Sequence, residues 1–207
     1  MTAQIIVYGI SLGCVYAIVA LGLVLIYRAT ELVNFAQGEM MMMSAYVFFT
    51  LYSMEMGLFT AVLGSLLFAV ILGVAMNTII SRPLIGKPIF AQIMATIAMS
   101  IVLRSLTGVI WTHEDLFMYP SPVSMKPMNV GFLQISPYQI VIVSVTIILV
   151  LLLYLFLNLT RFGTAIKATS ENPVAAQLMG IPIKRIYVAV WILSSLVSAV
   201  AGMLIIP

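Results

Sequence analysis

A chain of 207 residues in which 63% are hydrophobic and only 7% charged has too few polar groups to clothe a water-facing surface, so a soluble enzyme or binding domain is excluded at the outset. The formal net charge of +3 is small, and the places its cations occupy account for it without a nucleic-acid partner. A single cysteine, Cys14, excludes an intrachain disulfide and a cysteine-built metal cluster.

Crossing a hydrocarbon core of about 30 Å at about 1.5 Å per residue takes roughly 20 predominantly apolar residues. The sequence supplies six such stretches, at 4–26, 35–54, 58–80, 89–111, 138–159 and 186–206, so the expected fold is an all-α integral membrane protein, a polytopic bundle of about six transmembrane helices in one membrane domain. Pro83, Pro88, Pro120, Pro122, Pro127, Pro137, Pro173, Pro182 and Pro207 all fall outside those stretches, as expected where a helix in lipid has no water to replace a missing hydrogen bond. The cations sort by side. With the N-terminus outside, Arg28, Arg82, Lys87, Arg161, Lys167, Lys184 and Arg185 fall in cytoplasmic connections, Lys126 falls outside and Arg104 lies within a span.

No positive residue precedes the first stretch, and its apolar run is longer than a cleavable signal carries, so it is expected to stay as a span. Gly9, Gly13 and Ala17 form a small-residue ridge along it, of the kind that lets transmembrane backbones approach closely. At the start of the second stretch, Asn34, Gln37, Gly38 and Met41 share a helical face, with Glu39 beside them as the only acid inside a span. In an ion-coupled carrier such an acid is the natural coupling group; it also suits the membrane interface. Met40 to Met43 offer either an adaptable surface or ordinary packing.

The fourth stretch carries Gln92, Thr96, Ser100, Arg104 and Gly108 at intervals of four, each step drifting about 40° around a helix of 3.6 residues per turn. Two readings of this polar stripe stand side by side. It is the wall of a hydrated path with Arg104 meeting a carboxylate, or it is interhelical hydrogen bonding with Arg104 reaching out to the interface. In the outer loop, His113, Glu114 and Asp115 are successive residues that do not converge on one centre, so no metal or acid/base site is expected, and Pro120, Pro122 and Pro127 suit an extended cover.

The connection at 160–185 holds a short helix with all its punctuation: Asn172 as N-cap, Pro173 at the first helical position, Gly180 at the left-handed cap and Pro182 beyond it. Two turns are unstable alone in water, yet Val174 and Leu178 share one face, and Ala175 and Met179 the next, with the slim Ala176 between. Such a helix either docks into a partner's groove or folds back on its own domain. In the last stretch, Ser194, Ser198 and Gly202 form a second small-residue ridge.

The segment Val174 to Gly180, reading VAAQLMG, resembles the EAA loop of ATP-binding-cassette importer permeases, in which two alanines are followed after three residues by glycine. GCVYAIVALGLVLIYRATELVNFAQGEMMMMSAY in the first two stretches and RFGTAIKATSENPVAAQLMGI in the loop are similar to the LivH-like branch of branched-chain amino-acid permeases. Val174 stands where the motif carries glutamate, and Gln37 where that family commonly carries histidine.

The resemblance implies a bacterial inner-membrane subunit that works with cytoplasmic ATPases, a second homologous permease and a periplasmic solute-binding protein. It implies that Pro173, Val174, Ala175, Ala176, Leu178, Met179 and Gly180 form the ATPase-coupling helix, while the polar positions Asn34, Gln37, Gln92, Thr96, Ser100 and Arg104, read from the residues themselves, are the candidate lining of a translocation path. No phosphate loop is present; the nearest candidate, Gly86, Lys87, Pro88, has proline where a magnesium-binding hydroxyl is needed. No cofactor on this chain is therefore expected, with ATP and magnesium held by the partner ATPase. Family permeases are usually longer and carry further spans, so the resemblance leaves three expectations for this chain, a fragment, a product truncated at the C-terminus or a short variant. Relatives in the wider family handle leucine, isoleucine and valine, or urea and short amides. An ion-coupled carrier using Glu39 remains the alternative, and an intramembrane enzyme is the weakest reading, for want of a catalytic constellation in the spans.

Overall fold

The computed structural model describes residues 2–111, 128–130 and 133–205. His113, Glu114, Asp115, Pro120, Pro122, Lys126, Pro127 and Pro207 lie outside the described residues.

The chain forms an all-α bundle with one small hairpin. Helix α1 spans Thr2–Thr30 and α2 Gln37–Ser53. Helix α3, Leu58–Met76, runs through a π turn, Asn77–Ser81, into the short α4, Arg82–Leu84. Then come α5, Ile89–Ile110, and α6, Pro137–Leu159, with α7, Arg161–Glu171, and α8, Pro173–Leu178, leading to α9, Ile183–Ile205. Before α6, strands β1 (Met128–Val130) and β2 (Leu133–Ile135) pair antiparallel, Asn129 opposite Gln134. The extended cover expected at Pro120, Pro122 and Pro127 lies outside the described residues, and the two strands stand directly before α6.

Among the described residues, five helices are long and apolar enough to cross a membrane: Ile5–Thr30, Leu58–Leu84, Ile89–Ile110, Pro137–Leu159 and Ile183–Ile205. The stretch expected at 35–54 is shorter as a helix, because Asn34 Oδ1 accepts the Ala36 N–H at 3.1 Å and bends Phe35 and Ala36 into a turn. With 17 residues α2 lies at the lower limit for a span. The third stretch is longer than expected and includes Pro83. Its missing N–H and its ring clash one turn back are absorbed by the π turn, where the Arg82 N–H reaches back to Asn77 O and lets the rod continue to Leu84.

Helix α9 is the hub, packed on α1, α2 and α3, with 56% of its membrane-length window buried against 17–33% for the other four. The ridge read in its sequence makes this possible. Ser194, Ser198 and Gly202 are all buried, and a Cβ on Gly202 would lie 2.5 Å from Met41 O on α2. Across the other face, a Cβ on Gly73 of α3 would lie 2.9 Å from Ile192 Cα. The first ridge behaves oppositely: Gly9, Gly13 and Ala17 are exposed, and a Cβ on either glycine meets nothing within 4 Å.

Helix α7 was not anticipated in the sequence. Thr160 caps it by accepting the Gly163 N–H at 3.0 Å, and Gly163 lets α7 fold tightly onto the end of α6, where a Cβ would lie 2.5 Å from Leu157 Cα. Gly163, Ile166 and Thr169, three residues apart, form its buried face.

Candidate functional site: a buried amide–hydroxyl network and an exposed short helix

The turn made by Asn34 delivers two amide side chains to the bundle interior. Asn34 and Gln37 are 0% and 2% exposed. Asn34 Nδ2 donates to Gln37 Oε1 at 3.0 Å, while Gln37 Nε2 donates to Ser194 Oγ at 3.1 Å and to Ser198 Oγ. Ser194 in turn donates to Gly22 O at 2.7 Å, and Ser198 to Ser194 O at 2.9 Å. Every proton in this set has an acceptor, and the chain of bonds ties α1, α2 and α9 together where water cannot substitute. Gly22 is part of the design, since a Cβ there would sit 2.5 Å from Gln37 Nε2. The serines were read in the sequence as packing residues only. Their spacing of four, facing an amide-bearing helix start, was the available signal for this second role.

Thr96 of α5 is fully buried and shares its hydroxyl proton between Ile93 O at 3.0 Å and Val33 O at 3.3 Å, one residue from Asn34. Gln92 is half-buried, its Nε2 donating to Lys87 O at 3.0 Å. Further along, the stripe leaves this face. Ser100 is half-buried and bonds within its own helix to Ile97 O, and Arg104 is exposed. The reason is helical drift: about 40° per four residues puts Arg104 about 120° around from Gln92. The buried face of α5 passes instead through Thr96, Leu103 and Thr107. Glu39 is half-buried in the first turn of α2, where a carboxylate complements the helix dipole.

At the end of the bundle that carries Arg28 and Lys87, the turn after α1, the α4–α5 connection and α7 enclose a cavity of about 340 Å³. A second space of about 570 Å³ adjoins it along α1 and α5, reaching Val33 and Ile93. Val33, which lines this space, accepts the Thr96 hydroxyl and directly precedes Asn34 in sequence.

Helix α8 stands at the same end. Asn172 Oδ1 accepts the Ala175 N–H at 2.9 Å, Pro173 occupies the first turn, and Gly180 takes φ +84°. The Ile181 N–H bonds back to Ala176 O and the Gly180 N–H to Gln177 O, both at 3.0 Å, which is the Schellman closure a glycine at that place permits. Ala176 faces inward at 4% exposure, whereas Val174, Leu178 and Met179 are 69%, 84% and 84% exposed. The large apolar side chains of this helix thus face away from the chain's own core, and a small residue is used where it touches the core. Pro173 and Thr169 line the 340 Å³ cavity, so the base of α8 and the turn carrying Glu31 share one space.

The sequence profile of the family described as "Branched-chain amino acid transport system / permease component" matches residues 5–207. The chain is 29% identical over 211 residues to the high-affinity branched-chain amino acid transport system permease protein LivH of Escherichia coli, covering 95% of this chain and 68% of that protein. It is 33% identical over 190 residues to the probable branched-chain amino acid transport permease protein LivH of Methanocaldococcus jannaschii, covering 89% and 60%. The permease protein BraD of Pseudomonas aeruginosa is 27% identical over 214 residues, covering 98% and 70%. No solved structure matches the chain. A helical membrane bundle whose sequence matches the family profile over residues 5–207 is a multi-pass transport permease, and the chain belongs to the family of branched-chain amino acid transport-system permease components.

Proposed function

We propose that this chain is the membrane-spanning permease subunit of an ATP-binding-cassette importer that moves branched-chain amino acids, or related small polar solutes, inward by alternating access. The observation that carries this reading is helix α8, capped at both ends and presenting Val174, Leu178 and Met179 to the outside at the basic end of the bundle. A two-turn helix with its apolar side chains turned outward is matched to a groove on another protein. The partner is a pair of cytoplasmic ATPases, which hold the ATP and magnesium; this chain binds no cofactor of its own. Closure of the ATPases on ATP pushes Pro173 to Met179 as a lever, and the displacement reaches the end of α1 and the turn after it through α7, which packs on both α8 and α1.

The bundle sits in a bacterial inner membrane with its N-terminus outside, because that orientation places seven of the nine Lys and Arg residues on the cytoplasmic side. It works with a second homologous permease and receives solute from a periplasmic binding protein. Asn34 and Gln37 lie at the heart of the path, with Gln92 and Thr96 at its inner end.

Two measurements test this. Leu178→Asp abolishes co-purification with the ATPase while membrane insertion is unchanged; retained co-purification removes the lever. Uptake of leucine into proteoliposomes holding the whole importer is blocked by vanadate and survives a protonophore. The reverse pattern, with Glu39→Gln abolishing uptake, establishes an ion-coupled carrier instead, and uptake of urea or a short amide but not leucine moves the substrate class.

A further inference from the structure

We infer that the cavity at the basic end of the bundle is the inner release vestibule of the path, and that it recognises an α-amino acid by both of its charges, Arg28 taking the carboxylate and Glu31 the ammonium group. The inference rests on the amino-acid reading above and adds to it the residues that read the solute as it leaves.

The vestibule has two adjoining compartments, of about 340 and 570 Å³, and Arg28, Glu31, Ile89 and Gln92 line both. That is within the ordinary size range of small-molecule pockets. Opposite charges in one cavity ordinarily pair with each other. Here the side chains of Arg28 and Glu31 have neither an ion-pair nor a hydrogen-bond partner among the described residues. Both are exposed side chains that line one shared space, so a ligand that carries one charge of each sign meets the two together in exchange for water.

Backbone geometry sets Glu31 apart. Its φ of +57° is a left-handed conformation that glycine adopts more readily, held by the Glu31 N–H bond to Tyr27 O at 2.8 Å. This bend begins the turn that leads to Asn34, so the charge that meets the ammonium group is built into the segment that positions the buried network. Gln92 supports the same end of the ligand. Its Nε2 is engaged by Lys87 O at 3.0 Å and Leu84 O at 3.4 Å, which leaves Oε1 as an acceptor. Lys87, on the wall of the smaller compartment only, adds a second cation to the vestibule. In the larger compartment Val33, Ile89 and Ile93 form an aliphatic wall suited to a branched side chain.

This arrangement selects. Urea or a neutral amide leaves both charges without a counter-ion, and a solute with a single charge leaves one, so an amino acid is favoured over molecules of similar size. Val33 lines the larger compartment and its carbonyl accepts the Thr96 hydroxyl at 3.3 Å, and the fully buried Asn34 follows it directly in sequence.

The test uses inside-out vesicles holding the complete importer, in which Cys14→Ser removes the native thiol and Ile89→Cys places a reporter on both compartments. Leucine added from the cytoplasmic side slows maleimide labelling of that cysteine by about tenfold, about 1.4 kcal/mol of occupancy free energy. The one-charge analogues 3-methylbutylamine and 4-methylpentanoate, and urea, leave the labelling rate unchanged. Arg28→Gln and Glu31→Gln each abolish protection while the importer still assembles, and Arg28→Lys retains it. Absence of protection by leucine, equal protection by either analogue, or protection surviving both neutral substitutions overturns the proposal. Leucine uptake measured on the same preparation separates the two levels. Uptake without protection overturns the vestibule alone, whereas urea or amide uptake without leucine uptake overturns the substrate reading beneath it.

Discussion

Gln37 Nε2 lies 3.1 Å from Ser194 Oγ across 157 residues of sequence, and that bond joins the first turn of α2 to the centre of α9. A second acceptor, Ser198 Oγ, and a donor from Asn34 hold the same amide. Interhelical hydrogen bonds in membranes average about 0.6 kcal/mol and reach about 1.7 kcal/mol. Gln37→Leu is therefore expected to lower stability by about 1 kcal/mol, little enough for the bundle to form, while cutting ATP-driven uptake by about tenfold or more. Gln37→His, which keeps a donor and an acceptor at the site, is expected to retain uptake. Thermal unfolding in detergent and uptake in proteoliposomes measure the two effects separately, and a fall in stability matched by unchanged uptake would assign the network to packing alone.

The two small-residue ridges make opposite predictions. Gly202→Leu drives a side chain against Met41 O, a backbone atom that cannot yield without moving α2, and is expected to cost about 1–3 kcal/mol and reduce the folded yield. A Cβ at Gly13 meets nothing within 4 Å among the described residues, so Gly13→Leu is expected to leave folding of the isolated subunit unchanged. Detergent-resistant helicity on heating distinguishes them. If Gly13→Leu nevertheless disrupts the assembled importer, its face of α1 is covered by another subunit.

Helix α8 can be weakened without touching its exposed side chains. Asn172→Ala removes the acceptor of the Ala175 N–H and is expected to destabilise the helix by about 1 kcal/mol. Gly180→Val forces a β-branched residue into φ +84° and costs at least about as much. Both substitutions are expected to lower transport-linked ATPase activity severalfold while basal ATPase activity holds. Equal loss of both activities would point to failed assembly instead of failed coupling.

Arg104 is exposed and lies about 120° around α5 from Gln92, away from the buried Thr96. Arg104→Gln is accordingly expected to change uptake of leucine and of a neutral amide by the same factor, within about twofold. Selective loss of leucine uptake would return Arg104 to the path and require a neighbouring subunit to cover that face.

The membrane class of this protein, its helix boundaries to within a turn or so, and the capped α8 were determined by local sequence. Apolar run length, proline placement and capping residues act on the chain within a few positions of themselves. Even the exceptions are local in origin: the short α2 follows from the Asn34 turn, and the extension of α3 past Pro83 from a π turn. Which of two equally plausible small-residue ridges would be used was a tertiary decision, because the pattern of Gly9, Gly13 and Ala17 carries no information about whether another helix comes to meet it. The polar stripe on α5 divides between two faces for a related reason. Residues four apart look aligned in a short window, and the accumulated rotation matters only once a neighbour fixes which face is inside. The network of Asn34, Gln37, Ser194 and Ser198, and the cavity shared by Arg28, Glu31 and Pro173, depend on helices more than a hundred residues apart packing at one place. Hydrogen bonds and charges act only over a few ångströms, so these sites came into being only when the bundle closed.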